Sequence, residues 1–295
     1  MSGKEIYDSN WQAALFLLPT MSVVVLFLYY PGLETFRYSV YSTLFFGMDK
    51  TFVGLDNFEA LLTSEEYHQS LLVTTLWSAV VMFGRLAVAL VVSYMIYEVA
   101  RGSSFYLIAA IWPYAMPAVV TGAILSFVAH PELGIFSYYL EVFTGIQFDW
   151  FSNPVYAFIL LSGAAIWKGI GFNVIFMLAA FSNVPGALSE AAELDGVSRW
   201  KMLTRVYVPL ISPTLFYLLV INLMKSFFGG FALVDMMTNG EPGGWTNILI
   251  YKLYVDAFQQ NNLGIGAAES VILFTIVAAL TIVQFRYTEK FVHYG

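Results

Sequence analysis

Three basic side chains lie inside long apolar stretches of this sequence, where a charge is unexpected. Arg85, Lys168 and Lys225 each interrupt a run long enough to cross a bilayer. A basic residue near the middle of a membrane span costs about 2.5–3.5 kcal/mol on insertion scales, so contact with lipid is disfavoured. These side chains are therefore expected to face a polar cavity, a neighbouring helix or an acid. A polar cavity within a membrane is a place where a solute could pass.

Other polar groups near these lysines are candidates for the wall of such a pathway. Lys168 lies in the stretch AIWKGIGFN, in which glycines permit close backbone approach and Asn173 follows five residues later. Asn222 precedes Lys225 by three positions, so both share one helix face. Tyr114 lies between two prolines, Pro113 and Pro117, whose freed backbone groups could line a cavity. The candidate substrate-pathway residues are Tyr114, Lys168, Asn173, Asn222 and Lys225.

For each of these residues a hydrogen bond or ion pair inside the helix bundle is an alternative. For Arg85, a structural pair at a helix interface is favoured over pathway lining. Glu269 of the last apolar stretch could pair with Lys225. At a rise of 1.5 Å per residue, however, the two differ in depth by roughly 10 Å.

Several classes of chemistry are excluded by composition. The chain has no cysteine, which rules out disulfides, thiolate metal sites and thiol catalysis. The three histidines, His68, His130 and His293, are scattered, and each is expected to be a solvated side chain in a loop or the tail. Since no nucleophile–base pair or metal motif occurs within the apolar stretches, we predict no catalytic residue and no metal site. The chain is not expected to be an enzyme.

Composition predicts an all-α polytopic membrane protein. Of the 295 residues, 59% are hydrophobic and 11% are charged, against about 25% charged in soluble domains. A helix needs about 20 apolar residues to cross the hydrocarbon core. Six transmembrane helices are predicted, at residues 11–30, 71–98, 105–129, 155–181, 214–234 and 267–285.

The first apolar stretch could also be a cleaved signal peptide. It follows an acidic start, Glu5 and Asp8, and is longer than a signal core, which favours a retained span. We expect residues 1–70 to form an N-terminal segment with the first helix and a loop. Residues 71–288 would form a five-helix core, and residues 289–295 a tail.

The distribution of basic residues predicts the orientation. With the N-terminus in the cytoplasm, seven of the 13 basic residues fall on the cytoplasmic side and three on the outer side. The outer loops then hold 12 of the 20 acids. We therefore expect a multi-pass protein of the cell (cytoplasmic) membrane with both termini in the cytoplasm.

Between the fourth and fifth predicted spans lies the polar segment, defined as residues 182–213. It contains SEAAELDGVSRWKMLTRVYVPLISP. A first helix is expected to start at Asn183 as N-cap and to end at Gly196, and a second is expected from Ser198 to about Val206. The first helix carries acids and small alanines, not the basic polar face and bulky apolar residues of a lipid-binding helix. Docking to another protein is therefore favoured over adsorption to lipid.

The polar segment resembles the EAA loop of the permease subunits of binding-protein-dependent ABC importers. Glu190-Ala191-Ala192 is followed by Gly196 and then by Val206-Tyr207-Val208-Pro209 at that family's spacing. The stretch FVGLDNF at residues 52–58 and Thr238 to Pro242 resemble permeases of the carbohydrate type. The C-terminal VQFRY is most like the first permease of glycerol-3-phosphate importers.

The resemblance implies the architecture of a type I ABC importer permease and a set of partners. These partners are a second, similar permease, an ATPase homodimer that binds ATP and magnesium, and an extracytoplasmic substrate-binding protein. This chain would hold no cofactor itself and would bind no nucleic acid. In the family the EAA loop is the coupling helix seated in the ATPase. The residues that take this role by resemblance are Glu190, Ala191, Ala192, Asp195 and Gly196.

The resemblance implies import of a small polar solute, either sn-glycerol 3-phosphate or a sugar or oligosaccharide. A sugar importer without phosphate specificity is therefore an alternative. A secondary transporter is a further alternative, but it would usually need internal repeats and acids at the membrane midplane that bind coupling ions. Apart from Glu98 at the very end of the second span, the only acid within a predicted span is Glu269, near the outer end of the last span.

Overall fold

A computed structural model describes residues 10–44, 49–99 and 101–288. The chain divides into two compact units. The first comprises Met1–Thr63 and Leu253–Ile272, and the second comprises Ser64–Lys252 and Leu273–Gly295. The predicted tail at residues 289–295 and His293 lie outside the described residues.

The first unit combines helices with a short β-hairpin. Helix α1 continues through a π-helical turn into α2, so the first predicted span extends beyond residue 30 to Tyr38. Strands β1 and β2 pair antiparallel, with Tyr41 opposite Phe52, and this hairpin departs from the all-α prediction. The elements that begin in this unit are α1 (Asn10–Val24), the turn Val25–Tyr29, α2 (Tyr30–Tyr38), β1 (Tyr41–Leu44), β2 (Asp49–Phe52), α3 (Asp56–Thr63), the turn Val255–Gln259 and α15 (Leu263–Thr288), whose later part belongs to the second unit.

Buried polar contacts hold the hairpin of the first unit. The amide of Asn57 donates hydrogen bonds to the backbone oxygens of Ser39, at 2.9 Å, and Tyr41, at 3.0 Å. The backbone N–H of Gly264 donates to the Thr43 hydroxyl at 2.9 Å. A side chain at Gly264 would meet the Tyr41 carbonyl at 2.2 Å, which explains why glycine lies there.

The second unit is a helical bundle built around α4 and α8. Ser64 caps α4 by accepting from the Tyr67 N–H, and Asn153 caps α8 by accepting from the N–H groups of Val155 and Tyr156. Gly84 of α4 permits the close packing, since a Cβ there would lie 2.5 Å from Ile166 of α8. The helices of this unit are α4 (Glu65–Glu98), α5 (Ser103–Ala115), α6 (Ala118–Val128), α7 (Ile135–Thr144), α8 (Pro154–Ser182), α9 (Gly186–Leu194), α10 (Arg199–Met202), a π-helical turn (Leu203–Tyr207), α11 (Val208–Leu210), α12 (Ser212–Phe228), α13 (Phe231–Met237) and α14 (Leu249–Tyr254), whose last two residues belong to the first unit.

Two of the predicted spans are broken. The third was predicted as one helix over residues 105–129, but α5 and α6 meet at a bend of 100°. Met116 is extended there because the ring of Pro117 disfavours a helical residue before it. The fifth was predicted to run to residue 234, but α12 ends at Phe228. A second bend, of 80°, separates Arg199–Leu210 from Ser212–Phe228.

Two smaller expectations are also wrong. His68 was expected in a loop, but it lies in the first turn of α4, with its side chain exposed. Asn183 was expected to cap the start of the next helix, but it is the C-terminal cap of α8, and α9 starts only at Gly186. Pro185 explains the gap between α8 and α9, because the residue before a proline is biased away from helical geometry.

Among the described residues, four helices are long and apolar enough to cross a membrane. The count rises to six if each of the two bent pairs forms one span. The upper value agrees with the number predicted from the sequence, and the structure therefore supports a polytopic protein with four to six spans.

The stretch from Gly243 to Lys252, which includes the start of α14, is clamped to the first three turns of α4. The Thr74 hydroxyl accepts a hydrogen bond from the backbone N–H of Leu249 at 2.8 Å. Gln69 donates to the backbone oxygen of Gly243 at 2.6 Å, and Lys252 forms an ion pair with Glu66 at 3.0 Å. These contacts join parts of the chain that lie about 170 to 190 residues apart.

A pair of buried asparagines joins α8 to α12. Asn173 is 0% exposed and Asn222 is 1% exposed. The Asn222 amide donates to the Asn173 oxygen at 2.6 Å, and the reverse bond measures 3.4 Å. Each amide also donates to the carbonyl four residues earlier in its own helix, which for Asn222 is that of Leu218. The pair satisfies its own polar atoms inside an apolar bundle.

We expect a single substitution in the asparagine pair to lower stability more than substitution of both residues. Asn222→Leu should lower stability by about 1 kcal/mol because it leaves Asn173 buried with an unsatisfied oxygen. The double substitution Asn173→Leu with Asn222→Leu should recover much of this loss, since no polar atom is left unpaired. The thermal unfolding midpoint of the purified protein in detergent measures both. A double variant less stable than either single variant would contradict the pairing.

Candidate functional site

The second unit contains a cavity of about 540 Å³ at the breaks of its helices. Its wall is formed by parts of α4, α5, α6, α8, α12 and α13. The lining residues are Arg85, Tyr114, Ala118, Lys168, Gly169, Phe172, Asn222, Met224, Lys225, Phe228, Gly229, Gly230, Ala232 and Leu233. The cavity is large enough for a ligand of small-molecule size.

Three cations from three helices face this cavity. Arg85 lies on α4, Lys168 on α8 and Lys225 on α12. None of the described residues in its wall is acidic. In the described part of the chain, the ion pairs are Arg37 with Glu34 and Lys252 with Glu66, and neither involves these cations. The cavity therefore carries positive charge that its own wall does not neutralise.

The two lysines are held by a carbonyl and by aromatic faces. Lys168 Nζ lies 3.5 Å from the backbone oxygen of Tyr114. It lies 5.8 Å from the centre of the Tyr114 ring, and Lys225 Nζ lies 5.5 Å from the same centre. Lys225 Nζ lies only 3.6 Å above the centre of the Phe172 ring. Ring faces attract cations without removing their charge, so both ammonium groups stay able to bind an anion.

The breaks in the helices contribute polar backbone to the wall. The bend after α5 exposes the Tyr114 carbonyl to which Lys168 donates. A second break, at Gly229 and Gly230, separates α12 from α13. Gly230 has φ +99°, and a Cβ there would lie 3.1 Å from the Trp77 ring. Glycine is therefore required by both the backbone conformation and the close approach.

Four of the five residues predicted to line a pathway do line the cavity, and these are Tyr114, Lys168, Asn222 and Lys225. Asn173 does not, because its side chain is turned into the interface between α8 and α12. Arg85, for which a structural pair at a helix interface was favoured, lies in the wall and also donates from α4 to the Ala165 carbonyl of α8 at 3.1 Å. A signal for Arg85 was present in the sequence, since the glycines near Lys168 leave space that a long side chain from a facing helix could fill.

The polar segment forms a helix, a turn and a second helix. Helix α9 ends in a Schellman motif, in which the Val197 N–H donates to the Ala192 oxygen at 3.1 Å. Gly196 has φ +68°, as this motif requires, so the predicted terminator is confirmed. The second helix runs without interruption from Arg199 to Leu210, beyond the predicted end near Val206. Ser198 occupies its N-cap position.

The exposed surface of α9 is a mixture of acidic and apolar side chains. Glu190 and Ala191 are exposed, Ala192 is half-buried, and Leu194 is 90% exposed. Asp195 and Gly196 of the following turn are also exposed. The candidate coupling residues therefore lie together on one accessible helix and its terminal turn, where another protein could contact them.

An aromatic cluster connects the polar segment to the bundle. Tyr207 is 2% exposed, and its ring centre lies 5.3 Å from that of Phe181 and 5.6 Å from those of Tyr94 and Tyr97. Its hydroxyl is 2.8 Å from the hydroxyl of Ser189 on α9. Tyr207 thus joins α9 to both α4 and α8. No sequence pattern had indicated this contact.

Of the two histidines that the structure describes, His68 is exposed and His130 has a local structural role. Nδ1 of His130 accepts hydrogen bonds from the N–H groups of Glu132 and Leu133, at 3.2 and 3.3 Å. Across the described ranges there is no group of three or more His, Cys, Asp or Glu side chains suited to hold a metal ion.

Comparison with known proteins identifies relatives over the whole chain. The family model described as "Binding-protein-dependent transport system inner membrane component" matches residues 114–291. The sn-glycerol-3-phosphate transport system permease protein UgpA of Rhizobium meliloti (strain 1021) is 38% identical over 281 residues, or 95% of this chain and 96% of that protein. The protein of the same name from Salmonella typhi is 36% identical over 293 residues, or 99% of each chain.

Solved structures show the same fold. The crystal structure of a bacterial ABC transporter involved in the import of the acidic polysaccharide alginate contains a chain with TM-score 0.83 and 22% identity, covering 95% of this chain and 96% of that one. The bacterial alginate ABC transporter in complex with its pentasaccharide-bound periplasmic protein gives TM-score 0.85 at 22% identity, with 97% and 96% covered. The family resemblance predicted from the polar segment is confirmed by these matches together.

We expect Tyr207→Phe to loosen the polar segment without disrupting the bundle. The substitution keeps the ring in the aromatic cluster but removes the hydroxyl that contacts Ser189. Losing a hydrogen bond worth about 1 kcal/mol should speed amide hydrogen exchange in residues 186–197 by about fivefold. Exchange mass spectrometry measures this. Tyr217→Phe, on the half-exposed tyrosine of α12, serves as the control, and equal exchange in the two variants would refute the contact.

Proposed function

Because this chain belongs to the family of binding-protein-dependent transport system inner membrane components, we propose that it is one of two permease subunits of an ATP-driven importer for sn-glycerol 3-phosphate. The six spans would leave both termini in the cytoplasm, and the polar segment would lie on that side of the cytoplasmic membrane. The chain itself performs no bond chemistry.

The observation that carries the substrate proposal is the cavity with three cations and no acid among its described wall residues. A phosphate monoester bears between one and two negative charges near neutral pH. Such a ligand would neutralise part of the charge that the wall leaves uncompensated. A neutral sugar could accept hydrogen bonds from the same groups but would leave the repulsion between the cations in place. The names of the relatives in Rhizobium meliloti and Salmonella typhi agree with this choice.

The arrangement of polar segment and cavity supports coupling to a partner ATPase. Helix α9 presents Glu190 and its neighbours on an exposed surface, as docking to another protein requires. Tyr207 joins this helix to α8, and α8 carries Lys168. Movement of a docked ATPase pair, powered by ATP with magnesium, could therefore reach the cavity through packed side chains. The solute can bias this cycle only by binding one state of the helices more tightly than another.

The proposed partners follow from the family. A second permease would close the cavity from the other side, and an extracytoplasmic binding protein would deliver the solute. The alginate transporter of similar fold was solved with a periplasmic protein bound. The lipid bilayer would surround the apolar helix surfaces outside these contacts.

Uptake by the reconstituted transporter tests the substrate. The complete complex, with its binding protein outside and ATP inside proteoliposomes, should accumulate radiolabelled sn-glycerol 3-phosphate and should not accumulate a neutral sugar such as maltose. Uptake of the sugar alone would favour the alternative of a sugar importer without phosphate specificity. Accumulation of either solute driven by an ion gradient without ATP would instead indicate a secondary transporter.

We expect changes in the terminal turn of α9 to uncouple transport from ATP hydrolysis. Gly196→Pro cannot adopt the positive φ of this turn, so the docking surface should lose its shape while membrane insertion is preserved. Stimulation of ATP hydrolysis by the loaded binding protein should fall at least about tenfold. Gly196→Asn, which tolerates this backbone region, should lose much less. Equal, normal stimulation in both variants would show that the turn has no role in docking.

A further inference from the structure

We propose that Arg85 is the specificity-determining residue of the cavity and binds the phosphate group through the two terminal nitrogens of its guanidinium. This inference rests on the proposed function and assigns different roles to the three cations. Lys168 and Lys225 supply charge, whereas Arg85 supplies directed hydrogen bonds. The basis is a contact site on α8, called the seat below, which consists of the Ala165 carbonyl and the space at Gly169. The seat restricts the orientation of the Arg85 side chain.

The first part of this seat is a hydrogen bond to the backbone. Arg85 Nε donates to the carbonyl oxygen of Ala165 at 3.1 Å. This bond uses the one inner N–H of the guanidinium and leaves the four N–H groups of Nη1 and Nη2. Since the guanidinium is planar, fixing Nε and the stem also restricts the plane in which these four groups lie.

The second part of the seat is a gap at Gly169. A Cβ at this position would lie 2.2 Å from Arg85 Nε and 2.7 Å from both Cδ and Cζ. These atoms are in the middle of the side chain, so an added methyl group would have to displace the guanidinium. Ala165 and Gly169 are four residues apart and therefore share one face of α8. A single helix face thus supplies both the acceptor and the space.

Arg85 meets two requirements for binding an oxyanion in the cavity. It lines the cavity, and the described residues place no carboxylate in an ion pair with it. A guanidinium can bind a phosphate through two parallel N–H bonds, whereas an ammonium acts as a point charge. The ammonium of Lys225 lies against the Phe172 ring, and that of Lys168 lies near the Tyr114 carbonyl. These groups can neutralise the charge of a phosphate but do not fix its orientation.

A purely structural role for Arg85 predicts a different outcome. If the side chain served only to join α4 to α8 through Ala165, its loss would reduce assembly or thermal stability in proportion to any loss of transport. If it binds the phosphate, transport at saturating substrate falls while the complex stays assembled. The concentration for half-maximal uptake should change little, because the external binding protein captures the solute first.

The test uses the reconstituted complex with sn-glycerol 3-phosphate and three variants. Arg85→Lys keeps the positive charge but removes the two terminal nitrogens that would bind the phosphate. Gly169→Ala displaces the guanidinium and changes no charged residue. Gly163→Ala, also on α8, is the control, because a Cβ there meets nothing within 4 Å. We expect uptake per ATP hydrolysed to fall at least about tenfold in the first two variants and to remain normal in the control. Copurification of the subunits measures assembly.

Normal uptake in both Arg85→Lys and Gly169→Ala would overturn this role for Arg85 while leaving the proposed import of sn-glycerol 3-phosphate intact. If Gly169→Ala fails to assemble, adding Arg85→Ala removes the clash, and the double variant should assemble but import poorly. Normal import by that double variant would also overturn the assignment. Absence of sn-glycerol 3-phosphate uptake by the unaltered complex would overturn the proposed function and this inference together.

Discussion

The need to hold three positive charges within apolar helices constrains the bundle of the second unit more than any other feature. Each charged group is held by a specific contact that leaves its charge in place. The Ala165 carbonyl accepts from Arg85, the Tyr114 carbonyl receives Lys168, and the Phe172 ring lies under Lys225. An unbroken helix uses its carbonyls internally, so a free one requires a helix end or a shared acceptor. The bend after α5 supplies such an end, and the three cations line one cavity.

Packed side chains of the same bundle connect the cavity wall with the polar segment. Helices α4 and α8 contribute to the cavity wall, through Arg85 and Lys168, and to the aromatic cluster around Tyr207. Aromatic rings are large and stiff, and interiors packed this tightly transmit displacement instead of absorbing it. The hydroxyl contact between Ser189 and Tyr207 extends the connection to α9. The surface suited to docking and the surface suited to binding are thus parts of one packed body.

The sequence predicted those features that depend on local pattern. Hydrophobic length located the long helices α4, α8 and α15, and residue spacing identified the family and the turn at Gly196. The cost of a charge in lipid indicated Lys168 and Lys225. Features that depend on contact between distant segments were not predictable, because their partners have no sequence signature. An example is the pairing of Asn173 with Asn222, which lie 49 residues apart in the sequence.

The breaks in the helices were predictable from the sequence only in part. Pro113 and Pro117 indicated an interruption, yet apolar length alone predicted one continuous third span. The length of the fifth span was overestimated because Gly229 and Gly230 scarcely lower the mean hydropathy of the stretch. The contacts of Arg85 were not predictable for a related reason, since they consist of a missing side chain at Gly169 and a backbone oxygen at Ala165. Neither a missing side chain nor a backbone oxygen is visible in the sequence as a polar residue.

The clamp between α4 and the stretch from Gly243 to Lys252 joins parts of the chain that are synthesised at very different times. The Thr74 hydroxyl is synthesised 175 residues before its partner, the N–H of Leu249. At a synthesis rate of about 5–20 residues per second, that interval lasts about 10 to 35 s. Throughout it, the early helix exists without the contacts of Glu66, Gln69 and Thr74 to the later segment. The newborn protein therefore spends more than half of its synthesis time with α4 already made but not yet joined to the partners that complete this clamp.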